Sequence, residues 1–291
     1  MSKKKNIITT LFLILMLLMG LFLMLYPSFS NWWNSKRQSK AISNYEKTVA
    51  EMDDSTKKEL LIKAEEYNLR LAELSDPFTE YDSISGYDDI LDITGTGVMG
   101  YIDIPKINLF LPIYHGTSDE VLNIAVGHMQ GSSLPIGGIG CHSVISAHRG
   151  LPSAKLFTNI DQLIEDDTFT ITVLDEVLTY EVDQTEVILP YETNKLAIVP
   201  NMDCVTLMTC TPYGINTHRM LVRAHRIDTA SPHCVKVPAD GIMADDMTVY
   251  TVIAAAVLII LLIFWIVSEH LLKCRSVTKD SIYDIPLKKD K

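Results

Sequence analysis

Two apolar runs without a single charge, 7–26 and 249–267, constrain this 291-residue chain more than any other feature. A run of about 20 apolar residues is long enough to cross a bilayer as a helix, so each is expected to span one. Lys3, Lys4 and Lys5 precede the first run; Asp240, Asp245 and Asp246 precede the second, and Lys273, Arg275 and Lys279 follow it. Cytoplasmic flanks carry the excess of Lys and Arg, which assigns the basic tail 268–291 to the cytoplasm. Lys36, Arg37 and Lys40 nearly cancel the lysines ahead of the first run, so the second run decides the orientation. Two spans return both ends to the same side, and the residues between them are exported. A cleaved signal peptide is the alternative for the first run, but Tyr26-Pro27-Ser28-Phe29 offers a poor small-residue cleavage site, and an uncleaved anchor is preferred.

The organisation that follows has a cytoplasmic N-terminus 1–6, a transmembrane helix or uncleaved signal anchor 7–26, and an extracellular helical segment 27–75. A turn and linker 76–97, a β-rich domain 98–230, a linker 231–248, a second transmembrane helix 249–267 and the cytoplasmic tail 268–291 complete it. Trp32 and Trp33 suit a membrane interface. Ser35 to Met52 then reads as a polar helix, and Asp53-Asp54-Ser55 as the cap of another. In that second helix Leu60, Ala64, Tyr67, Leu71 and Leu74 recur at helical spacing, a stripe that predicts docking on the domain rather than a free stalk. Pro77 halts it after Ser75-Asp76.

From Val98 onward, β-type runs alternate with Gly, Pro, Asn and Asp: Val98 to Ile104, Leu109 to Tyr114, Ser143 to Ala147, Thr168 to Leu174 and Glu176 to Ile188. Short helical pieces fall near Ser118 to Ala125 and Lys155 to Leu163. The pattern predicts a mainly β fold, a closed antiparallel-rich barrel. Its last two runs, Val205 to Cys210 and His218 to Arg226, flank the turn-rich 211–217 and predict a hairpin. With Cys210 opposite Arg219, period-2 alternation pairs Met208 with Leu221 and Thr206 with Arg223 on one face, and Leu207 with Val222 and Val205 with Ala224 on a core face.

Cys210 and Arg219 then leave the sheet together, a thiol beside a guanidinium able to meet charge developing on an attacked carbonyl. A thiol nucleophile needs a proton acceptor. His148, which ends the apolar run from Cys141 and is followed by the turn Gly150-Leu151-Pro152, is the candidate. His115, His128, His142, His218 and His225 lack that strand-end relation and read as structural or surface groups, and Arg149 ranks second to Arg219 for the oxyanion. Thr209 is a candidate hydrogen-bonding group in the pocket. The five cysteines show no CxxC and no spacing with His that suits a metal, so neither metal nor cofactor is expected. A net charge of −11 without a central Lys/Arg cluster argues against a nucleic-acid partner.

These residues carry a family resemblance. TLMTCTPYGINTHRMLVRAHR (206–226) and SAHRGLPSAKLF (146–157) resemble the sortases, specifically the class C, pilus-assembling sortases of Gram-positive surfaces, with YIDIPKINLFLPIYHGTS (101–118) and VGHMQGSSLPIGG (126–138) similar as well. Met208, Met220 and Ala224 stand where the family often has Val, Leu and Gly. The resemblance implies an eight-stranded barrel, a Cys210 nucleophile, a His148 acid and base, and Arg219 as stabiliser of the oxyanion or substrate carbonyl. It further implies that Asp76, Pro77 and Phe78 form a lid, with Asp76 pairing with Arg219 and Phe78 capping Cys210. The implied activity is cleavage of an LPxTG-like sorting signal through a thioester and its transfer to a lysine of the next pilin subunit, at the outer face of the cell membrane. Pilins and the lipid bilayer are the implied partners. The alternatives are a housekeeping sortase using a cell-wall precursor amine, a thiol peptidase using water, and a non-enzymatic membrane-tethered scaffold. The second apolar run with its basic tail would be a sorting signal only with an LPxTG-like element before it, which 231–248 lacks.

Overall fold

The structure, a computed structural model, describes residues 2–229, 253–260 and 262. It divides into two units: Phe29–Met243 holds the β-rich domain, and Met1–Ser28 belongs with the described residues 253–260 and 262 in the other. Most of the second expected span, 249–267, and all of the linker 231–248 and tail 268–291 apart from that stretch lie outside the described residues; 253–260 and 262 are helical.

Helix α1 (Ser2–Glu51) runs through the first apolar run and onward with Pro27 inside it, and from Thr10 it is long and apolar enough to cross a membrane. Pro27 does not interrupt the helix. A proline removes one backbone hydrogen bond, whereas helical turns on both sides of it propagate once formed. Further along α1, Ile42, Tyr45 and Val49 recur at helical spacing and are buried. Tyr45 Oη donates to Met99 O at 2.9 Å and accepts from Leu174 N at 2.8 Å, tying the helix to two strand ends. Helix α2 (Asp54–Ala72) starts on the expected cap, with Asp53 Oδ1 accepting from Thr56 N at 2.8 Å, and buries Ala64, Tyr67 and Leu71 from the predicted stripe. A short α3 (Pro77–Glu80) follows.

Eight strands close a barrel: β1 (Val98–Ile104), β2 (Leu109–His115), β3 (Val126–His128), β4 (Cys141–Ser146), β5 (Thr168–Val173), β6 (Glu176–Ile188), β7 (Asp203–Thr211) and β8 (His218–Ile227). Their order around the barrel is β1-β2-β3-β4-β7-β8-β6-β5. Two pairs, β2 with β3 and β4 with β7, are parallel and the rest antiparallel. The three-residue β3 escapes sequence reading because it is too short to display an alternation. The interior is filled by alternate residues such as Ile102, Ile113, Ile145, Ile171, Leu207 and Val222, all inaccessible to solvent.

Beneath α2 and the 84–97 linker, His128 is fully buried, its Nδ1 2.9 Å from Tyr87 Oη and its Nε2 2.8 Å from Ser133 O. Burial, the main cause, holds its pKa down at about 4. A folded-state pKa below the ordinary His value of about 6.5 means that the unfolded chain takes up a proton the fold refuses. Stability is therefore expected to fall as pH drops from about 6.5 to about 4, with a one-proton slope of about 1.4 kcal/mol per pH unit from this group. Burial lowers His142 in the same direction. Urea unfolding across this window should show a slope about one proton shallower in His128→Asn than in the parent chain.

Candidate active site

Strands β7 and β8 pair in the register read from the sequence, with Cys210 opposite Arg219, Met208 opposite Leu221 and Thr206 opposite Arg223. Val205, Leu207, Val222 and Ala224 are buried on the core face as expected. On the other side of β7 lies β4, parallel, with Val144 opposite Thr206 and Ser146 opposite Met208. Two more bonds continue that pairing beyond the end of β4: Ala147 N donates to Met208 O at 3.2 Å, and Thr209 Oγ1 donates to Ala147 O at 2.8 Å. Carried two residues past the last pair, Ser146 with Met208, this register would set His148 level with Cys210, roughly one strand spacing of 4.8 Å away. Alternation turns His148 to the face that holds Ser146 and Val144, which is the face of Met208 and Cys210. Cys210 and Arg219 pair directly and the β4–β7 register points His148 to the same rim; all three are half-buried.

Local contacts fix each of these positions. Arg219 Nη1 donates to His218 O at 3.1 Å and Asn216 O at 3.3 Å, bending the guanidinium back over the 211–217 loop. Gly150, at φ +76°, has the Tyr213 ring so close that a Cβ would stand 2.7 Å from it. The turn after His148 and the loop after Cys210 are therefore packed face to face. Arg149 is engaged elsewhere, in an ion pair with Asp161 at 2.5 Å, which leaves Arg219 as the cation directly paired with Cys210. Thr209 is 1% exposed and turned to the barrel interior, so it positions the end of β4 instead of lining the pocket.

The remaining histidines among the described residues are held in structural contacts. Both ring nitrogens of His115 face carbonyls, Gly97 O at 3.0 Å and Ile90 O at 2.7 Å. His142 bridges Ala197 O at 2.8 Å and Thr206 Oγ1 at 2.7 Å, and His218 Nδ1 is 2.9 Å from Thr217 Oγ1. His225 lies near Glu181 and Asp183 on the β6–β8 surface.

A groove lies on the outer face of β7, β8 and β6, beside β4. Its floor is an apolar cluster separate from the barrel core: Val144, Met208, Leu221 and Ile188, with Leu196 from the β6–β7 connection. Beyond it a cavity of about 370 Å³ is lined by Thr206, Arg223, Glu186, Lys195 and residues 197–200. Asp183 holds Arg223 there through bonds of 2.9 and 3.2 Å. Sequence reading did not single out this groove. The strand half was available in the alternation of Val144, Ser146 and His148, but the wall from the β6–β7 connection has no periodic signal.

Phe78 packs against this apolar cluster, which includes Met208 and Leu221, the same-face pair next to Cys210 and Arg219. The Asp76 carboxylate is exposed and makes no ion pair with Arg219 among the described residues; the Asp76 carbonyl instead accepts from Thr79 N and Glu80 N, starting α3. Backbone of Pro77 and Phe78 lies against Gly131, where a Cβ would stand 2.9 Å from Pro77 O and 3.0 Å from Phe78 Cα.

Residues 102–227 match the Sortase domain family. Among curated proteins the chain is 29% identical over 115 residues to Sortase D of Bacillus subtilis (strain 168), a match covering 40% of this chain and 55% of that protein. It is 28% identical over 130 residues to Sortase A of Streptococcus agalactiae serotype III (strain NEM316), covering 44% and 52% respectively. The chain thus spans about half the length of the curated relatives it matches. Among solved structures it resembles sortase C1 from Streptococcus agalactiae, with 45% identity, a TM-score of 0.59, and coverage of 65% of this chain and 98% of that one. It also resembles Clostridium perfringens sortase C with the C-terminal cell wall sorting motif, with 41% identity, a TM-score of 0.56, and coverage of 65% and 98%.

The Gly131 contact yields a test of what the 76–78 segment covers. Gly131→Ala should push Pro77 and Phe78 off the groove and raise the rate at which a small thiol reagent modifies Cys210 several-fold, as should Phe78→Ala. Unchanged labelling in both variants would rule out a covering role.

Proposed function

The chain belongs to the sortase family, and on that premise we propose that it is a class C cysteine transpeptidase that polymerises pilins at the outer face of the cell membrane. The observation that supports the reading is the pairing of Cys210 with Arg219, beside a β4–β7 register that ends two residues before His148. The placement of Phe78 on the groove floor favours the class C assignment, as does the likeness to solved sortase C chains. The helix from Thr10 supports a membrane anchor.

In this mechanism the Cys210 thiolate attacks the threonyl carbonyl carbon of an LPxTG-like sorting signal. A tetrahedral oxyanion forms and Arg219 stabilises it, a contact that strengthens as the charge develops. The carbon–nitrogen bond to glycine breaks as His148 protonates the departing amine, leaving a thioester on Cys210. A lysine amine of the next pilin then attacks the thioester. His148 accepts the amine proton, the sulfur leaves, and an isopeptide bond remains. The apolar floor of Val144, Met208, Leu221 and Ile188 suits the Leu and Pro of the signal, and the Phe78 ring occupies part of that floor until substrate displaces it. The sorting motif present in the Clostridium perfringens relative supports this substrate class.

The test incubates the full chain with a pilin that carries both an LPxTG-like signal and its acceptor lysine. A ladder of covalent multimers is expected. Loss of the ladder is expected in Cys210→Ala, with a fall of about 10²–10⁴-fold in His148→Ala and Arg219→Ala. Cleaved monomer alone would assign the chain as a peptidase, and joining only to a cell-wall precursor amine would assign it as a housekeeping sortase. A ladder that survives Cys210→Ala would refute the enzymatic reading.

A further inference from the structure

Away from the groove, α1 and the barrel enclose a cleft of about 530 Å³ lined by Asn34, Arg37, Gln38, Lys40, Tyr114 and Ile124, among others. Side-chain hydrogen bonds hold its walls: the Gln38 amide donates to Ile124 O, and the Asn34 amide to Ser153 O at 2.9 Å. Together with the buried Tyr45 two turns on, these bonds fix the helix, so the cleft is a built feature and not a gap between mobile parts.

The charges on this stretch of α1 are unbalanced. Lys36, Arg37 and Lys40 stand among residues 27–45 without an Asp or Glu, in a chain whose net charge is −11. Arg37 and Lys40 are three apart and Lys36 and Lys40 four apart, spacings at which like charges on a helix repel. Elsewhere the same helices meet this spacing with opposite charges: Lys47 with Glu51 at 3.9 Å, and Lys63 with Glu59 at 2.8 Å. Arg37 and Lys40 form no ion pair among the described residues and are exposed at the cleft. For a chain whose middle is exported, they also lie on the side of the membrane from which Lys and Arg are depleted. Uncompensated repulsion and an unfavourable flank together call for a negative partner from outside the chain.

We propose that this cleft binds a phosphate group, with the Arg37 guanidinium and the Lys40 ammonium as its cationic contacts and the Tyr114 hydroxyl as a further donor. A guanidinium presents paired N–H donors that match two oxygens of one phosphate, and an ammonium serves as a point charge beside it. Burial raises the Tyr114 pKa, while Arg37 acts in the opposite direction. The phenol remains a protonated donor at neutral pH, and Arg37 is close enough to act on it. Two sources offer this chemistry. Trp32 and Trp33, within about two helical turns of Lys40, have the character of an interfacial belt, where anionic phospholipid headgroups lie. Free phosphate in the surrounding medium is the other. The cleft shares no residue with the catalytic groove, so the site is independent of the reading of Cys210.

The experiment follows thermal unfolding of the full chain in a neutral detergent at fixed ionic strength. It titrates dihexanoylphosphatidylglycerol, dihexanoylphosphatidylcholine, inorganic phosphate or chloride. A ligand that binds only the folded state raises Tm by about 3 °C at tenfold excess over its Kd. A saturable rise with phosphatidylglycerol and not with phosphatidylcholine, abolished in Arg37→Gln/Lys40→Gln, establishes the site with a lipid headgroup as its source. A rise with inorganic phosphate, abolished by the same variant, establishes it with free phosphate as the source. Both substituted positions are exposed and glutamine keeps helix propensity, so the double variant folds. Absence of a rise with either phosphate ligand, a rise that persists in the double variant, or an equal rise with chloride overturns the proposal.

Discussion

The parallel pairing of β4 with β7 is the constraint on which the rest of this molecule depends. Strand side chains alternate, so a slip of one residue between these strands would send His148 to the face opposite Cys210. The slip is resisted from the core side, where Ile145 and Leu207 are both inaccessible to solvent and would have to exchange places with groove residues. It is resisted again at the rim, where Thr209 reaches across to the Ala147 carbonyl just after the last ladder pair. A buried hydroxyl spent on that carbonyl extends the register one step further, to the point where the imidazole begins. Alignment of the proposed reacting groups is a by-product of how the barrel packs.

The barrel's outer face explains why a covering segment exists at all. A closed barrel fills its interior with one set of alternating residues, and the other set normally meets water. On β4, β7, β8 and β6 that outer set includes Val144, Met208, Leu221 and Ile188, an apolar strip that a free surface would leave wet. Leu196 from the β6–β7 connection covers part of it and Phe78 another part. Under the proposed function this surface receives an apolar peptide, and the Phe78 ring on a short helix shields it between turnovers. The close approach of Pro77 and Phe78 to Gly131 shows how finely that segment is seated, since even one methyl group would not fit.

The helices before the barrel serve a different end. Tyr45 spends its hydroxyl on backbone groups of β1 and of the turn after β5, so α1 is tied to the fold and does not act as a loose tether. His115 and His128 do comparable work for the linker that follows α3, the first through carbonyls at Ile90 and Gly97, the second through Tyr87. His128, fully buried, is costly to charge, which is why its pKa is depressed and why acid is expected to loosen this part first.

Much of the site was legible from the sequence because the signals are short-range. Alternation and turn chemistry set the β7–β8 register, and with it the Cys210–Arg219 pair, since adjacent strands joined by a tight loop have few ways to pair. The same alternation already turned Thr209 inward, away from any pocket. Asp53 announced the start of α2 through a contact made within one turn. Other features depend on residues far apart in the chain. Nothing local says that β4 pairs with β7, that three residues at Val126 complete the barrel, that the β6–β7 connection walls a groove, or that α1 continues through Pro27. The sequence by itself determined which side chains could react and which faces had to be buried. The tertiary structure alone decided which of those side chains meet, because long-range pairing is chosen by the shared packing of a core that no single segment contains.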